Sequence, residues 1–125
     1  MTSRELVLSA FNHKETAEIP LDLGGHRSSG VAAIAYARLR DYLRLPRRPV
    51  RVYDPPQQLA VLDEDVLDLF GVDTIELGRA FAQAEEHWQS WPLPEGTPAY
   101  LPAWINVERV RSEEHTSELQ SRQVI

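Results

Sequence analysis

The feature that most constrains this chain is the alternation of short apolar runs bordered by glycine with longer stretches whose apolar residues recur every three or four positions. Ile19-Pro20-Leu21-Asp22-Leu23 closes on Gly24-Gly25, and Asp73-Thr74-Ile75-Glu76-Leu77 lies between Gly71 and Gly78. Compact apolar runs of this length suit buried strands, with Pro20 at the start of the first. Around them lie helical patterns. Thr2 and Glu5 have the capping-box spacing, and Leu6, Val7, Ala10 and Phe11 form a stripe, predicting a helix over 3–12. From Gly30 to Leu45 the stripe is Val31, Ile34, Ala35, Leu39, Tyr42 and Leu43, with Arg38, Arg40, Asp41 and Arg44 on the solvent side and Pro46 as the stop. A third helix is predicted over 56–70, turning Leu59, Leu62, Val66, Leu69 and Phe70 inward, with Gly71 just past its end. Residues 49–54 read as extended, and the segment from Trp88 to Pro98 as a hairpin turning at Pro94-Glu95-Gly96. Strands alternating with helices predict an α/β architecture with parallel strands.

A chain of 125 residues is long enough for one core and too short for two. Its 13 Lys and Arg against 19 Asp and Glu give a net charge of -6, which repels nucleic-acid phosphates and anionic lipid. No nucleic-acid or membrane partner is expected. The absence of cysteine excludes disulfides and thiolate metal sites within the chain. With no apolar leader after Met1 and no membrane-length run, a cytoplasmic location is expected.

The loop Gly24-Gly25-His26-Arg27-Ser28-Ser29-Gly30 supplies backbone amides and one guanidinium at the start of a helix, a combination able to hold an anionic group. It lacks the lysine and the glycine spacing of a phosphate loop or a dinucleotide fingerprint. Arg27 and His26 are therefore candidate substrate contacts, as is Asp22 if its side chain faces a pocket. His13, His26 and His87 have no ligand spacing of their own, so no metal site is expected here. Trp88, Trp91 and Trp104 are read as packing residues.

The stretch Arg-Ser-Glu-Glu-His-Thr-Ser-Glu-Leu-Gln-Ser from Arg111 to Ser121 looks like the frame translation of a widely used short-read library adapter, and Arg122-Gln123-Val124-Ile125 fits its continuation through a sample index. The expected organisation is thus a native segment, 1–110, and a non-native tail, 111–125, that packs on nothing.

The native segment resembles the N-termini of the uroporphyrinogen decarboxylase family in its broad sense, which includes corrinoid-linked methyltransferases. The resemblance is carried by Ser3-Arg4-Glu5-Leu6-Val7 with Ala10, Phe11 and Asn12, by Ile19 to Gly25, by Phe70-Gly71-Val72-Asp73, and by Trp91 to Pro98 leading to Pro102-Ala103-Trp104. It implies the N-terminal portion, about two βα units and a hairpin, of a TIM (β/α)8 barrel, which needs ~250 residues and builds its site at the C-terminal ends of its strands. The positions to watch are then 22–29 and 76–81. The resemblance implies an enzyme acting on a small molecule, with corrinoid or thiol methyl transfer the leading activity and decarboxylation of a porphyrinogen or related acid the alternative. Zinc and a corrinoid protein partner belong to the first of these, with the zinc ligands in later parts of the barrel. The decarboxylases carry an Arg-x-x-x-Arg motif where this chain has Arg27 alone, and an aspartate where it has Ala80. A small non-catalytic binding module remains the reading from another class.

Overall fold

A computed structural model describes residues 1–77, 84–110 and 120–124. Among these residues the chain is mixed α/β, with three α-helices and an open four-stranded sheet.

Helix α1, Ser3–Phe11, starts where the capping box predicts. The Glu5 amide donates to Thr2 Oγ1 at 3.2 Å, and the Thr2 amide donates to the Glu5 carboxylate at 2.9 Å, so two donors of the first turn are satisfied reciprocally. Of its apolar stripe only Leu6 is buried, and Phe11 is 75% exposed.

Helix α2, Ala33–Tyr42, and strand β1, Val50–Asp54, follow. The predicted third helix is divided: strand β2, Leu59–Ala60, takes its first part and helix α3, Glu64–Phe70, the rest. The division follows from the backbone. Gln58 turns at φ 53°, and Ala60 and Val61 donate to Val31 and Arg51 at 2.9 and 2.7 Å, bonds a helix would have kept internal. Gly71 closes α3 in the left-handed region at φ 64°, as its position predicted.

The hairpin is formed by β3, Trp88–Ser90, antiparallel to β4, Ala99–Pro102, with Gly96 at φ 95° in its turn. The sheet order is β2-β1-β4-β3, and only β1 and β4 run parallel. The expectation of parallel strands holds for β1 and β4 alone: β2 and β3 return by short connections, which impose antiparallel pairing. The core lies between this sheet and the helices α2 and α3, centred on Tyr36, Val52, Val66 and Leu101. Trp91 packs on that cluster and Trp88 on a smaller one around Tyr53 and Leu59, whereas Trp104 is exposed.

The two runs predicted as strands form no strand: 19–22 and 73–77 carry no regular secondary structure, and Leu23 lies in a bend. They lie side by side, with the Asp73 amide donating to the Leu21 carbonyl at 2.8 Å. Ile19 is 88% and Leu77 86% exposed, and Leu21 and Ile75 are also open. A strand needs a neighbour along its length to satisfy its ladder, and the four-stranded sheet is assembled from other segments.

Residues Asn106–Val110 form β5 and Gln120–Val124 form β6, an antiparallel ribbon separate from the four-stranded sheet. The tail was expected to pack on nothing; its last residues pair instead with β5, through backbone bonds that require no particular side chains. The remainder of the tail, 111–119 and 125, lies outside the described residues. No helix among the described residues is long and apolar enough to cross a membrane.

Candidate functional site

The Gly24–Gly30 loop departs from the end of the first apolar run and is shaped by its own polar groups. Gly24 sits at φ 78°, a conformation glycine enters without steric cost. At Gly25 a Cβ would stand 2.6 Å from Thr74 Oγ1 and collide with the Asp22 carboxylate, so only glycine lets these groups meet. They do meet: Asp22 Oδ1 accepts from the Thr74 hydroxyl at 2.5 Å and from the Gly25 amide at 3.0 Å. The Thr74 hydroxyl foremost, then that of Ser29, holds the Asp22 carboxyl below the usual carboxylate range. Asp22 thus ties the two apolar runs together across the base of the loop.

His26 caps the 3-10 turn Arg27–Ser29. Its Nδ1 accepts from the Ser28 amide at 3.2 Å and lies 3.0 Å from Ser28 Oγ, which makes the neutral ring an Nε2–H tautomer. Arg27 leaves the same turn toward β1. Its Nε forms an ion pair with Asp54 Oδ2 at 2.7 Å, and its guanidinium carbon stands 6.0 Å from the centre of the Tyr53 ring. Asp54 is 6% exposed and is also bonded by Gln57. The Arg27 side chain is 59% exposed, and no described residue engages its Nη atoms, which can donate to an incoming oxyanion.

The structure therefore brings Asp22, His26 and Arg27 into one loop with distinct tasks. Asp22 is a structural tie, His26 a cap, and Arg27 a cation anchored at one nitrogen and open at the others. Asp54 and Thr74, which position two of the three, carry no motif; the sequence signal was only that each stands at or beside the end of an extended segment. Beside the loop opens a groove of about 450 Å3 with Leu23, Leu62 and Leu67 among its apolar walls and Glu64, Asp68 and Glu76 as its charged groups. Glu76 belongs to the second predicted site segment; the rest of that segment from Gly78, including Ala80 and Phe81, lies outside the described residues.

A second cluster was missed. Arg40 had been assigned to the solvent side of its helix, yet it is 3% exposed. Its Nη1 donates to Asp63 at 3.0 Å and to Asp65 at 2.8 Å, and its Nη2 to Asp65 and to the Pro46 carbonyl at 3.0 and 2.8 Å. Tyr36 completes the network by donating to Asp63 at 2.6 Å and accepting from the Asp63 amide at 2.8 Å. Two carboxylates at the start of α3 reverse the expectation for a lone arginine, because a paired guanidinium can be buried.

His13, His26 and His87 do not converge, and among the described residues no group of three His, Cys, Asp or Glu is arranged to hold a metal ion. No family model, curated protein or solved structure matches the chain.

Proposed function

We propose that residues 1–110 are the N-terminal portion of a (β/α)8 barrel enzyme of the uroporphyrinogen-decarboxylase type, with corrinoid or thiol methyl transfer as its chemistry. The observation that carries this reading is the contact between two apolar runs whose large side chains stay mostly exposed among the described residues. Leu21 and Asp73 are bonded in both directions, and Ile19, Leu21, Ile75 and Leu77 are exposed around that contact. Neighbouring first and second barrel strands would have this character until further strands and their helices enclosed them. The exposed apolar residues of α1 support the same reading. In it, the loop carrying His26 and Arg27 opens at the C-terminal end of the first strand, where barrel enzymes place substrate contacts. Arg27 would contact an anionic group of a small-molecule substrate through its open Nη atoms.

Thiol activation in such an enzyme is supplied by zinc, which turns a mostly protonated thiol into a thiolate. The described residues do not fit that ion, so the reading assigns its ligands to chain beyond Val110 and derives no step from them. The test is metal analysis and assay of the protein encoded by an untruncated gene. Bound zinc held by Cys and His, with methyl transfer to a thiol, is the expected result. Release of carbon dioxide from a porphyrinogen by a zinc-free protein would leave the decarboxylase alternative standing.

A second reading, a small non-catalytic binding module, is favoured by one observation: the sheet has a core of its own around Tyr36, Val52, Val66 and Leu101. The two readings differ in solution. An open barrel segment self-associates through Ile19, Leu21, Ile75 and Leu77. A module is a monodisperse monomer with a cooperative thermal transition.

A further inference from the structure

We propose that a groove at the C-terminal end of α2, whose lining shares no residue with the Gly24–Gly30 loop, binds a small molecule carrying at least two oxyanion charges. The groove has a volume of about 320 Å3, and its lining includes Arg38, Arg40, Arg47 and Arg48 with the carboxylate of Asp41, while Asp63 and Asp65 pair with Arg40 behind it. In a chain of net charge -6, such a local excess of cations is not a sample of the average surface. Like charges held together repel, and an anion placed among them relieves that repulsion.

The arginines are arranged unequally, and the inequality defines the site. Arg40 is buried and fully occupied in its Nη bonds to Asp63, Asp65 and Pro46, so it forms a fixed floor. Because it takes the short bonds, Arg48 stands 3.9 and 3.8 Å from the same two carboxylates, beyond hydrogen-bonding distance. Arg47 reaches Asp41 at 3.3 Å through Nε, and Arg38 makes no ion pair among the described residues. Three guanidinium groups thus retain donors for a ligand.

Their backbone is restrained. Arg47 and Arg48 lie between Pro46 and Pro49, whose rings fix φ on either side. Arg44 ends the helix at φ 57°, with Leu45 donating to Arg40 at 3.0 Å, so the linker leaves α2 in a defined direction. Complementing the helix dipole accounts for cations in the last turn of α2, but not for a pair held between two prolines beyond it. The walls, Ala37, Pro49 and Pro98, are small and apolar, which suits a compact ligand rather than a polymer. Phosphate and carboxylate oxygens offer the same chemistry to a guanidinium fork.

The test is titration of the 125-residue chain with inorganic pyrophosphate and, separately, with succinate, followed by amide chemical shifts and calorimetry. The expected result is saturable one-site binding of at least one probe, with shifts centred on Ala37, Arg48 and Thr97. Which probe binds identifies the source of the oxyanion. Arg38→Gln combined with Arg48→Gln, both at exposed positions, should weaken that binding by about tenfold or more, the loss of one or two charge-assisted bonds. Arg4→Gln on α1, which removes the same charge elsewhere, should leave it within about twofold, as expected for a distant exposed charge screened by salt. No saturable response to either probe, equal weakening by Arg4→Gln, or shifts centred on Arg27 overturns the proposal.

Discussion

Leu21 and Asp73 hold each other twice: the Asp73 amide donates to the Leu21 carbonyl at 2.8 Å, and the Leu21 amide donates to the Asp73 carboxylate at 2.9 Å. The same carboxylate accepts from Ser3 Oγ at 2.7 Å, so α1 and both apolar runs meet on one side chain.

Asp73→Ala should therefore loosen the chain around Leu21, which keeps only its backbone bond to residue 73 and the Asp22–Thr74 tie, while leaving α1 helical through its own capping box. Hydrogen exchange is the measurement, and the Leu21 amide should lose its protection. The Ser3 hydroxyl and then the Leu21 amide hold the Asp73 carboxyl below its ordinary value of 3.8. A depressed value in the folded state means that this tie is fully present above the ordinary value and is lost as pH falls through the folded one. Protection of Leu21 should fade over that acid range in the parent chain.

Arg40 sets the second prediction. Removing it by Arg40→Ala strands Asp63, Asp65 and the Pro46 carbonyl, and should destabilise the chain by about 3 kcal/mol, the lower end for a broken buried pair because both carboxylates still reach water. Urea unfolding of the variant beside Arg38→Ala, which should change little, measures the difference.

Tyr36 gives a pH signature. Burial first, with the Asp63 carboxylate adding to it, pushes its phenol from 10.0 to about 12. Because the folded value is raised, the contribution is complete below the ordinary value and is lost as pH rises toward the folded one. Stability should fall between pH 10 and 12, and Tyr36→Phe should flatten that fall while costing about 1 kcal/mol at neutral pH for the lost bonds to Asp63. Thermal unfolding against pH, for the two chains together, checks it.

What the sequence made legible was local. Thr2 with Glu5, Gly71 after α3, and the turn at Pro94-Glu95-Gly96 all act within a few residues, and each formed where its spacing indicated. The runs 19–23 and 73–77, predicted as strands from their apolar patterns, form none, because pattern alone does not name a sheet partner and no described strand pairs with them. Helical periodicity over 56–70 was overridden by bonds from Ala60 and Val61 to distant residues. It also put Leu69 and Phe70 inward, where the structure exposes them. Arg40 was misassigned because its partners lie more than twenty positions away. At the candidate site the glycine-rich loop was visible; Asp54 and Thr74, which hold Arg27 and Asp22, were not.

The ribbon of β5 and β6 bears on the tail. The ribbon joins no other described strand, and an isolated two-stranded ribbon is marginal in water, so deleting Arg111–Ile125 should leave the unfolding midpoint unchanged. Amides of Gln120–Val124 should exchange at rates near those of an open chain. Strong protection there would instead mean that the tail is an integrated element.

The most direct measurement for the proposed origin is the nucleotide sequence of the source locus, read in frame through the codon for Val110 and beyond. The account predicts that the codons for Arg111–Ile125 are absent and that the frame continues for on the order of 150 residues of further strand and helix units, enough to complete a barrel. A frame that encodes Arg111–Ile125 and then stops would contradict it.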